Sequence, residues 1–334
     1  MTEPAWRPAA LGRRLPHLTL RARMNAGVRG FFAGRDYLEV ETPALQISPG
    51  LEPHLKAFAT ELEPPDGGPP RRLYLHTSPE FAMKKLLAGG LPRIFQLARV
   101  FRNGERAATH HPEFTMLEWY RVGADYRDLM DETEALVRAV CPGPLTWQGR
   151  SCDPALPFER LSVAEAFRRH AGIAPLAPDL AAEARRIGVR VAAGDSREDL
   201  FFRIFLDRIE PKLGHPAATL LYDYPAEMAA LSRLKRDDPR WAERFELYVA
   251  GLELANAFGE LTDPAEQRRR FTADMDRKQA LYGTRYPIDE DFLAALGHGL
   301  PDCAGIALGF DRLVMLAAGA ARIEDVLWLP VAET

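Results

Sequence analysis

FRNGERAATHHPEFTMLEWYR, residues 101–121, reads as two β-strands joined by a charged loop. Before the loop, Ile94 to Arg102 is rich in β-formers and holds no breaker. After it, Phe114 to Tyr120 is again β-prone and follows Pro112. Side chains alternate along a strand, so Phe114, Met116, Glu118 and Tyr120 share one face and Thr115, Leu117 and Trp119 the other. A ring, a carboxylate and a phenol on one sheet face, beside a loop bearing Arg102, Glu105, Arg106, His110 and His111, have the make-up of a pocket wall. An ordinary hairpin with a solvated loop fits the same spacing, so neighbouring segments must decide.

Upstream, residues 18–33 have the apolar period of an amphipathic helix, with Leu20, Met24, Val28 and Phe31/Phe32 on one side and Gly34 as the stop. The segment 37–43 is then extended and ends at Pro43. Residues 63–72 form a Pro/Gly-rich loop. Ser78-Pro79-Glu80 opens a second helix, with Ser as cap, Pro at the first helical position and an acid in the first turn; Gly89-Gly90 closes it. Downstream, a helix over about 125–140 precedes a Pro/Gly-rich stretch, 141–158, read as a boundary. Helices near 162–170, 179–187 and 196–210 follow, two of them opened by Ser with an acid three positions on (Ser162/Glu165, Ser196/Asp199). Strands resume at 218–224 and 244–258, a helix runs from Pro264 to about 282, and a last strand, Cys303 to Gly309, leads into a helix at 310–318. Strands interrupted by a helical block imply an α+β fold: one mainly antiparallel sheet flanked by helices, with a helical insertion at about 155–215.

Two further segments carry chemistry. Glu246, Glu253 and Glu260 recur every seven residues in FELYVAGLELANAFGE (245–260). Val249 and Gly251 favour a hairpin turning near Ala250-Gly251 over a helix, which brings Glu246 close to Glu253 across the strands. Like charges at that distance repel, so a cation is expected between them. Paired hard oxygen ligands suit Mg²⁺, commonly held by one or two carboxylates plus substrate phosphates. Two solvated glutamates on an exposed edge are the alternative. In GIALGFDRL (305–313), Gly305, Ala307 and Gly309 share one face, and small side chains there let a ligand lie flat on the sheet, although close packing alone would also use them. Arg312 stands near the start of the next helix, where the dipole does not favour a cation, so it needs an anionic partner such as a phosphate.

Composition is that of a globular protein: 334 residues, 47% hydrophobic and 27% charged. No apolar run approaches the roughly 18–20 residues of a membrane span, and residues 1–17 lack the order of a secretory signal. Cys141, Cys152 and Cys303 have neither disulfide-framework nor zinc spacing, which suggests a reducing cytoplasm. A net charge of −4 gives no general attraction to nucleic acid or to anionic membrane. There is no Walker-type phosphate loop and no GxGxxG fingerprint.

Taken together, these segments resemble the class II aminoacyl-tRNA synthetases, most closely the lysyl-tRNA synthetase group. Residues 18–43 match motif 1, 99–121 match motif 2 and 304–313 match motif 3, in order, with the glutamate series between the last two. The resemblance implies a single catalytic domain over 1–334, an antiparallel sheet binding a bent ATP, and a homodimer through motif 1. It further implies that Arg102 holds the ATP α-phosphate and the amino-acid carboxylate, and that Phe114 stacks on adenine opposite Arg312, which also lies near the γ-phosphate. His110 and His111 would face the phosphate tail, backbone at Asn103, Leu254 and Gly309 would line the nucleotide, and Glu246 and Glu253 would bind Mg²⁺. Glu80 would take the backbone-type amine of the amino acid, with Asn256 near its carboxylate, and Glu118, Tyr120 and Glu260 would grip the side-chain ammonium. The family's Arg-Asn-Glu is Arg102-Asn103-Gly104 here, so recognition of the adenine amino group shifts to Glu105 or to backbone; His111 replaces the usual asparagine.

Lysyl-tRNA synthetases carry an N-terminal anticodon-binding OB domain of about a hundred residues, whereas only residues 1–17 precede the motif 1 helix here. No anticodon-binding domain and no tRNA partner are therefore expected. The stand-alone form resembles the elongation factor P–(R)-β-lysine ligase family. Ser78 replaces the usual alanine and Ala307 the usual glycine of lysyl-tRNA synthetases, and the extra methyl at 307 would favour an amine moved one carbon along. The implied reaction is ATP-dependent activation of a β-lysine as acyl-adenylate and its transfer to a lysine of elongation factor P, in the cytoplasm. A truncated enzyme that acylates tRNA and a non-catalytic synthetase-like regulatory subunit are the competing readings. Retention of Arg102, Glu246, Glu253 and Arg312 weighs against the latter.

Overall fold

The computed structural model describes residues 4–332. Its internal packing divides the chain into two compact units, Met1–Ala124 with Leu261–Thr334, and Asp125–Glu260. The division falls at 124/125, ahead of the Pro/Gly-rich 141–158, which instead holds a small hairpin, Leu145–Trp147 paired with Arg150–Cys152.

In the first unit the sheet runs Leu38–Glu39, Arg93–Phe101, Glu113–Val122, Cys303–Gly309. The short first strand is parallel to its neighbour and the others are antiparallel. The hairpin expected from residues 101–121 is thus present, and the final glycine strand lies along its second arm. Trp119 and Leu117 point away from the candidate pocket, where Trp119 meets Phe32 of the helix Pro8–Ala33, and Phe32 stacks on Phe95 with ring centroids 4.6 Å apart. That helix ends at Gly34 as expected but begins ten residues earlier, with Pro8 in its first turn. Its buried stripe is Leu18, Arg21, Met24, Val28, Phe31 and Phe32, and Leu20 stays half-buried at the edge. Arg21 is buried because it pairs with Asp311 at 2.5 Å and donates from Nη2 to Thr115 Oγ1 at 2.9 Å; Asp311 Oδ2 accepts the Thr115 amide at 2.9 Å. One ion pair so ties the first helix, the hairpin and the helix Phe310–Ala318 together. The helix Glu80–Ala88 packs against Glu290–Gly299 through stacked Phe81 and Phe292, 4.7 Å apart.

In the second unit the strand order is Leu252–Gly259, Trp241–Val249, Thr219–Pro225, Glu159–Ser162, antiparallel except for the last, parallel pair. The helices Val163–Ala171, Leu180–Arg186 and Arg197–Ile204 form the expected helical block. Ser162 accepts the Glu165 amide, and Ser196 with Asp199 completes a capping box. Phe167 and Phe201 stack at 4.7 Å in its core. The architecture is α+β. Among the described residues no helix is long and apolar enough to cross a membrane.

Candidate active site

The pocket wall of the first unit is built by register. Across the hairpin's second arm, Gly305 faces Tyr120, Ala307 faces Glu118 and Gly309 faces Met116; on the other side Gln96 faces Glu118. Directly opposed residues in an antiparallel pair project to the same face. The small residues of the last strand therefore flank the pocket side of Glu118 and Tyr120, with the Ala307 methyl beside the carboxylate. Ala307 and Phe114 also pack against Ala98, Val100 and Met116.

Glu118 is fully buried. Ser78 donates from Oγ to Glu118 Oε1 at 2.6 Å, and the Tyr120 hydroxyl donates to Oε2 at 3.0 Å. Burial, followed by the negative charge of Glu80, pushes the Glu118 carboxyl up from 4.5 to about 8, against the pull of those two hydrogen bonds. Ser78 also accepts the Glu80 amide at 3.0 Å, but the helix starts at Glu80 with Pro79 in the cap position, one residue later than expected, so the hydroxyl ties the turn before the helix to the pocket acid. Glu80 pairs with Lys84, one turn along the same helix, at 2.5 Å.

The nucleotide-side residues lie on the hairpin loop and the last helix. The Arg102 guanidinium stands 5.2 Å from the Phe114 ring centroid, and its Nε is buried without a hydrogen-bond partner. The Asn103 amide donates to Lys56 O at 2.8 Å. Gly104 has φ +83°, a conformation glycine adopts at no steric cost and glutamate does not; the departure from Arg-Asn-Glu is thus accommodated by the turn, and Glu105 is half-buried next to it. Arg312 donates from Nε to Thr109 O at 3.1 Å and from Nη2 to His110 Nε2 at 2.6 Å. Burial and the Arg312 charge lower the His110 pKa, consistent with a neutral ring accepting that bond. His111 differs from its expected role. It is buried, Nδ1 donates to Glu113 O at 2.5 Å and Nε2 accepts the Val331 amide at 3.2 Å. With both ring nitrogens bound to backbone, it holds the loop and has nothing left for a phosphate.

The second unit's hairpin turns at Ala250 (φ +52°) and Gly251 (φ +80°), as expected. Its register corrects one expectation. Glu246 faces Asn256, and Glu253 faces Tyr248. A bulge after Leu247 adds a residue to the return strand, so Glu253 and Asn256, an odd number apart, share a face with Glu246. The cation in contact with Glu246 is Arg244. Its Nη2 lies 2.6 Å from Glu246 Oε1, its Nε donates to Asn256 Oδ1 at 3.2 Å and its Nη1 to Met228 O at 2.6 Å. The hydroxyls of Tyr224 and Tyr248 both donate to Glu246 Oε2 at 2.6 Å. Leu254 and Glu260 are buried, and Glu260 bridges to Ser232.

The sequence model of the family described as tRNA synthetases class II (D, K and N) matches residues 13–333. The chain belongs to that family. It is similar to proteins named elongation factor P–(R)-β-lysine ligase: 43% identical over 336 residues to that of Vibrio cholerae serotype O1, with 99% of each chain covered; 44% over 334 residues to that of Salmonella paratyphi B, with 98% of each covered; and 43% over 328 residues to that of Sodalis glossinidius, covering 97% of this chain and 96% of the relative.

For a class II synthetase fold the donors present set what a metal could use. Among the described residues no group of three or more His, Cys, Asp or Glu side chains could hold a metal by itself. Glu246 Oε1 accepts from Arg244 alone and keeps a lone pair, and Glu253 is half-buried on the same face. Two such carboxylates fit an ion that takes the rest of its shell from phosphate oxygens and water. Sequence reasoning missed Arg244, the tyrosines that orient Glu246, and Glu52 of the first unit. The charge balance of the strand is a signal for the first; a lone Glu in a Pro-containing loop gives none.

Proposed function

We propose that the chain activates (R)-β-lysine with ATP and transfers it to a lysine ε-amine of elongation factor P. The observation that carries the reading is the buried Glu118, held by Ser78 and Tyr120 with the Ala307 methyl beside it, a seat for a substrate ammonium; the name shared by the relatives supplies the acceptor. In the first step the amino-acid carboxylate attacks the α-phosphorus of ATP, and the bond to pyrophosphate breaks. Arg102 spreads charge at the α-phosphate, Phe114 receives the adenine, and Arg312, oriented by His110, holds the leaving pyrophosphate. Mg²⁺ on Glu246 and Glu253 would neutralise phosphate charge. These residues act by positioning and electrostatics. In the second step the acceptor amine attacks the acyl carbon, AMP leaves and the amine gives up a proton. An ordinary lysine amine, with a pKa near 10.4, is neutral in only about one molecule in a thousand near pH 7.4, so the acceptor must be desolvated on docking.

In this reading the chain is a single catalytic domain, the protein acts in the cytoplasm as a homodimer, and tRNA is not an acceptor. The deciding experiment incubates the protein with ATP and either (R)-β-lysine or α-lysine, in the presence of elongation factor P or of lysine tRNA, and weighs each acceptor by mass spectrometry. A gain of one lysyl mass on the factor with β-lysine is expected. A gain on tRNA alone would refute the reading, and failure of either amino acid to drive ATP–pyrophosphate exchange would point to a binding module.

A further inference from the structure

The loop 50–55 of the first unit carries a carboxylate with no assigned role. Glu52 lines one cavity together with Ser48, Gly50, Ser78 and Glu80. The residue is half-buried, but its Oε2 is out of contact with solvent and has no hydrogen-bond partner. It is packed close to Gly50, where a Cβ would come within 2.9 Å of Oε2 and 2.5 Å of Thr77 Oγ1. The loop is fixed in place. Lys278, buried in the helix Pro264–Tyr282, donates to three of its carbonyls, Glu52 O at 3.2 Å, Pro53 O at 2.9 Å and Leu55 O. A buried ammonium spent on backbone oxygens makes the loop a rigid mount for the side chain between them.

An isolated buried carboxylate oxygen is costly unless a ligand meets it. The charges around Glu52 say which ligand. Burial and the neighbouring Glu80 raise its pKa, while a hydrogen bond from its own backbone amide and then the charges of Arg102 and Lys278 oppose the rise. Glu52 therefore lies within electrostatic reach of both the residue expected to bind the substrate's backbone-type amine and the arginine expected to bind its carboxylate. Glu80 already has a cation, Lys84. A diamino acid brings two ammonium groups into this pocket. Glu118 accounts for one, and the other meets a Glu80 that is half satisfied.

We infer that Glu52 is a specificity-determining residue that accepts a hydrogen bond from the substrate ammonium nearest the carboxyl group, alongside Glu80. The inference rests on the proposed activation of a lysine-like substrate. It assigns the discrimination of amine position to a rigid loop outside the hairpin, and makes Ala307 the steric half and Glu52 the polar half of the same selection.

The test compares wild type with Glu52→Gln in ATP–pyrophosphate exchange, using (R)-β-lysine and α-lysine, with 6-aminohexanoic acid, which lacks the second amine, as competitor. In the variant the KM for the preferred diamino acid should rise about 10- to 100-fold, the loss of one charge-assisted hydrogen bond. The KM for ATP and the inhibition constant of 6-aminohexanoic acid should stay within about twofold, and the melting temperature of the free protein should not fall, since Gln keeps the side chain's shape and removes the group whose charge burial opposes. Glu52→Asp, with the charge on a shorter arm, should recover part of the loss. An unchanged KM in Glu52→Gln with an active wild type overturns the inference alone. So does a loss that falls equally on ATP, 6-aminohexanoic acid and thermal stability, the pattern of a structural role. A wild type that activates neither diamino acid overturns the underlying reading as well.

Discussion

Replacing Glu118 by Gln should separate the pocket's stability from its function. In the folded protein without ligand the carboxyl keeps its proton up to about pH 8, whereas in the unfolded chain it loses it near 4.5. The sign follows from proton linkage: between those values the folded state binds more protons, so stability is greatest below pH 4.5 and falls as the pH rises through 8. Holding the proton at pH 7 costs on the order of 3 kcal/mol relative to acid conditions. Gln has nearly the same shape and meets the Ser78 and Tyr120 hydroxyls by their rotation, without titrating. Denaturant titrations of wild type and Glu118→Gln at pH 5 and pH 8 should therefore diverge by roughly 3 kcal/mol, with the variant the less sensitive to pH. At neutral pH it should unfold at equal or higher denaturant, yet fail to activate a lysine-like substrate. Binding of the ammonium to wild type at pH 7 should also drive out close to one proton per site, seen as calorimetric heats that depend on the buffer's ionisation enthalpy. Parallel pH profiles for the two proteins, together with binding that releases no proton, would show that Glu118 ionises normally and would defeat the argument.

Other perturbations follow from the same geometry. Ala307→Gly removes the methyl opposite Glu118; the ratio of kcat/KM for (R)-β-lysine over α-lysine should fall about tenfold, as a methyl-sized change in a pocket is worth about 1–3 kcal/mol, measured by pyrophosphate exchange. Asp311→Asn strips the counter-charge from buried Arg21; chemical denaturation should show a loss of about 3–5 kcal/mol, and an apolar Arg21→Met/Asp311→Leu pair should lose less.

The hairpin's strands, the helix stops at Gly34 and Gly89, and the Ser162 and Ser196 caps were legible in the sequence because each is decided within a few residues. The face shared by Phe114, Glu118 and Tyr120 follows from strand alternation alone. What escaped depends on distant partners. His111 looks like an anion ligand in its loop and becomes a structural residue only because Val331, 220 positions on, brings an amide to it. The pairing of Glu246 with Asn256 is set by a bulge, which shifts register by one residue and has no local signature here. Glu52 acquires its meaning from Lys278, more than two hundred residues away, which fixes its loop. A seven-residue carboxylate spacing suggested that Glu246 and Glu253 face each other; the register instead sets Glu246 opposite Asn256, and its charge is met by Arg244.

The protonation of the empty pocket also changes how selectivity against uncharged amino acids must work. A carboxylate left bare by leucine would be the obvious penalty, but at pH 7 the empty Glu118 is neutral, so leucine strands no charge there. Discrimination instead comes from what lysine gains, an ion pair in a dry pocket, less the cost of ionising Glu118, about 1.4 kcal/mol for a group one pH unit above the medium. That cost vanishes once the pH passes 8. Affinity for a lysine-like substrate should therefore rise up to about tenfold between pH 7 and 9, while the weak binding of leucine loses ground because ionised Glu118 would then be left unpaired. KM values for (R)-β-lysine and inhibition constants for leucine across that range test the point. A lysine-to-leucine preference that stays flat or narrows as the pH rises would mean that Glu118 is already charged in the empty site, and that the ammonium finds its partner elsewhere.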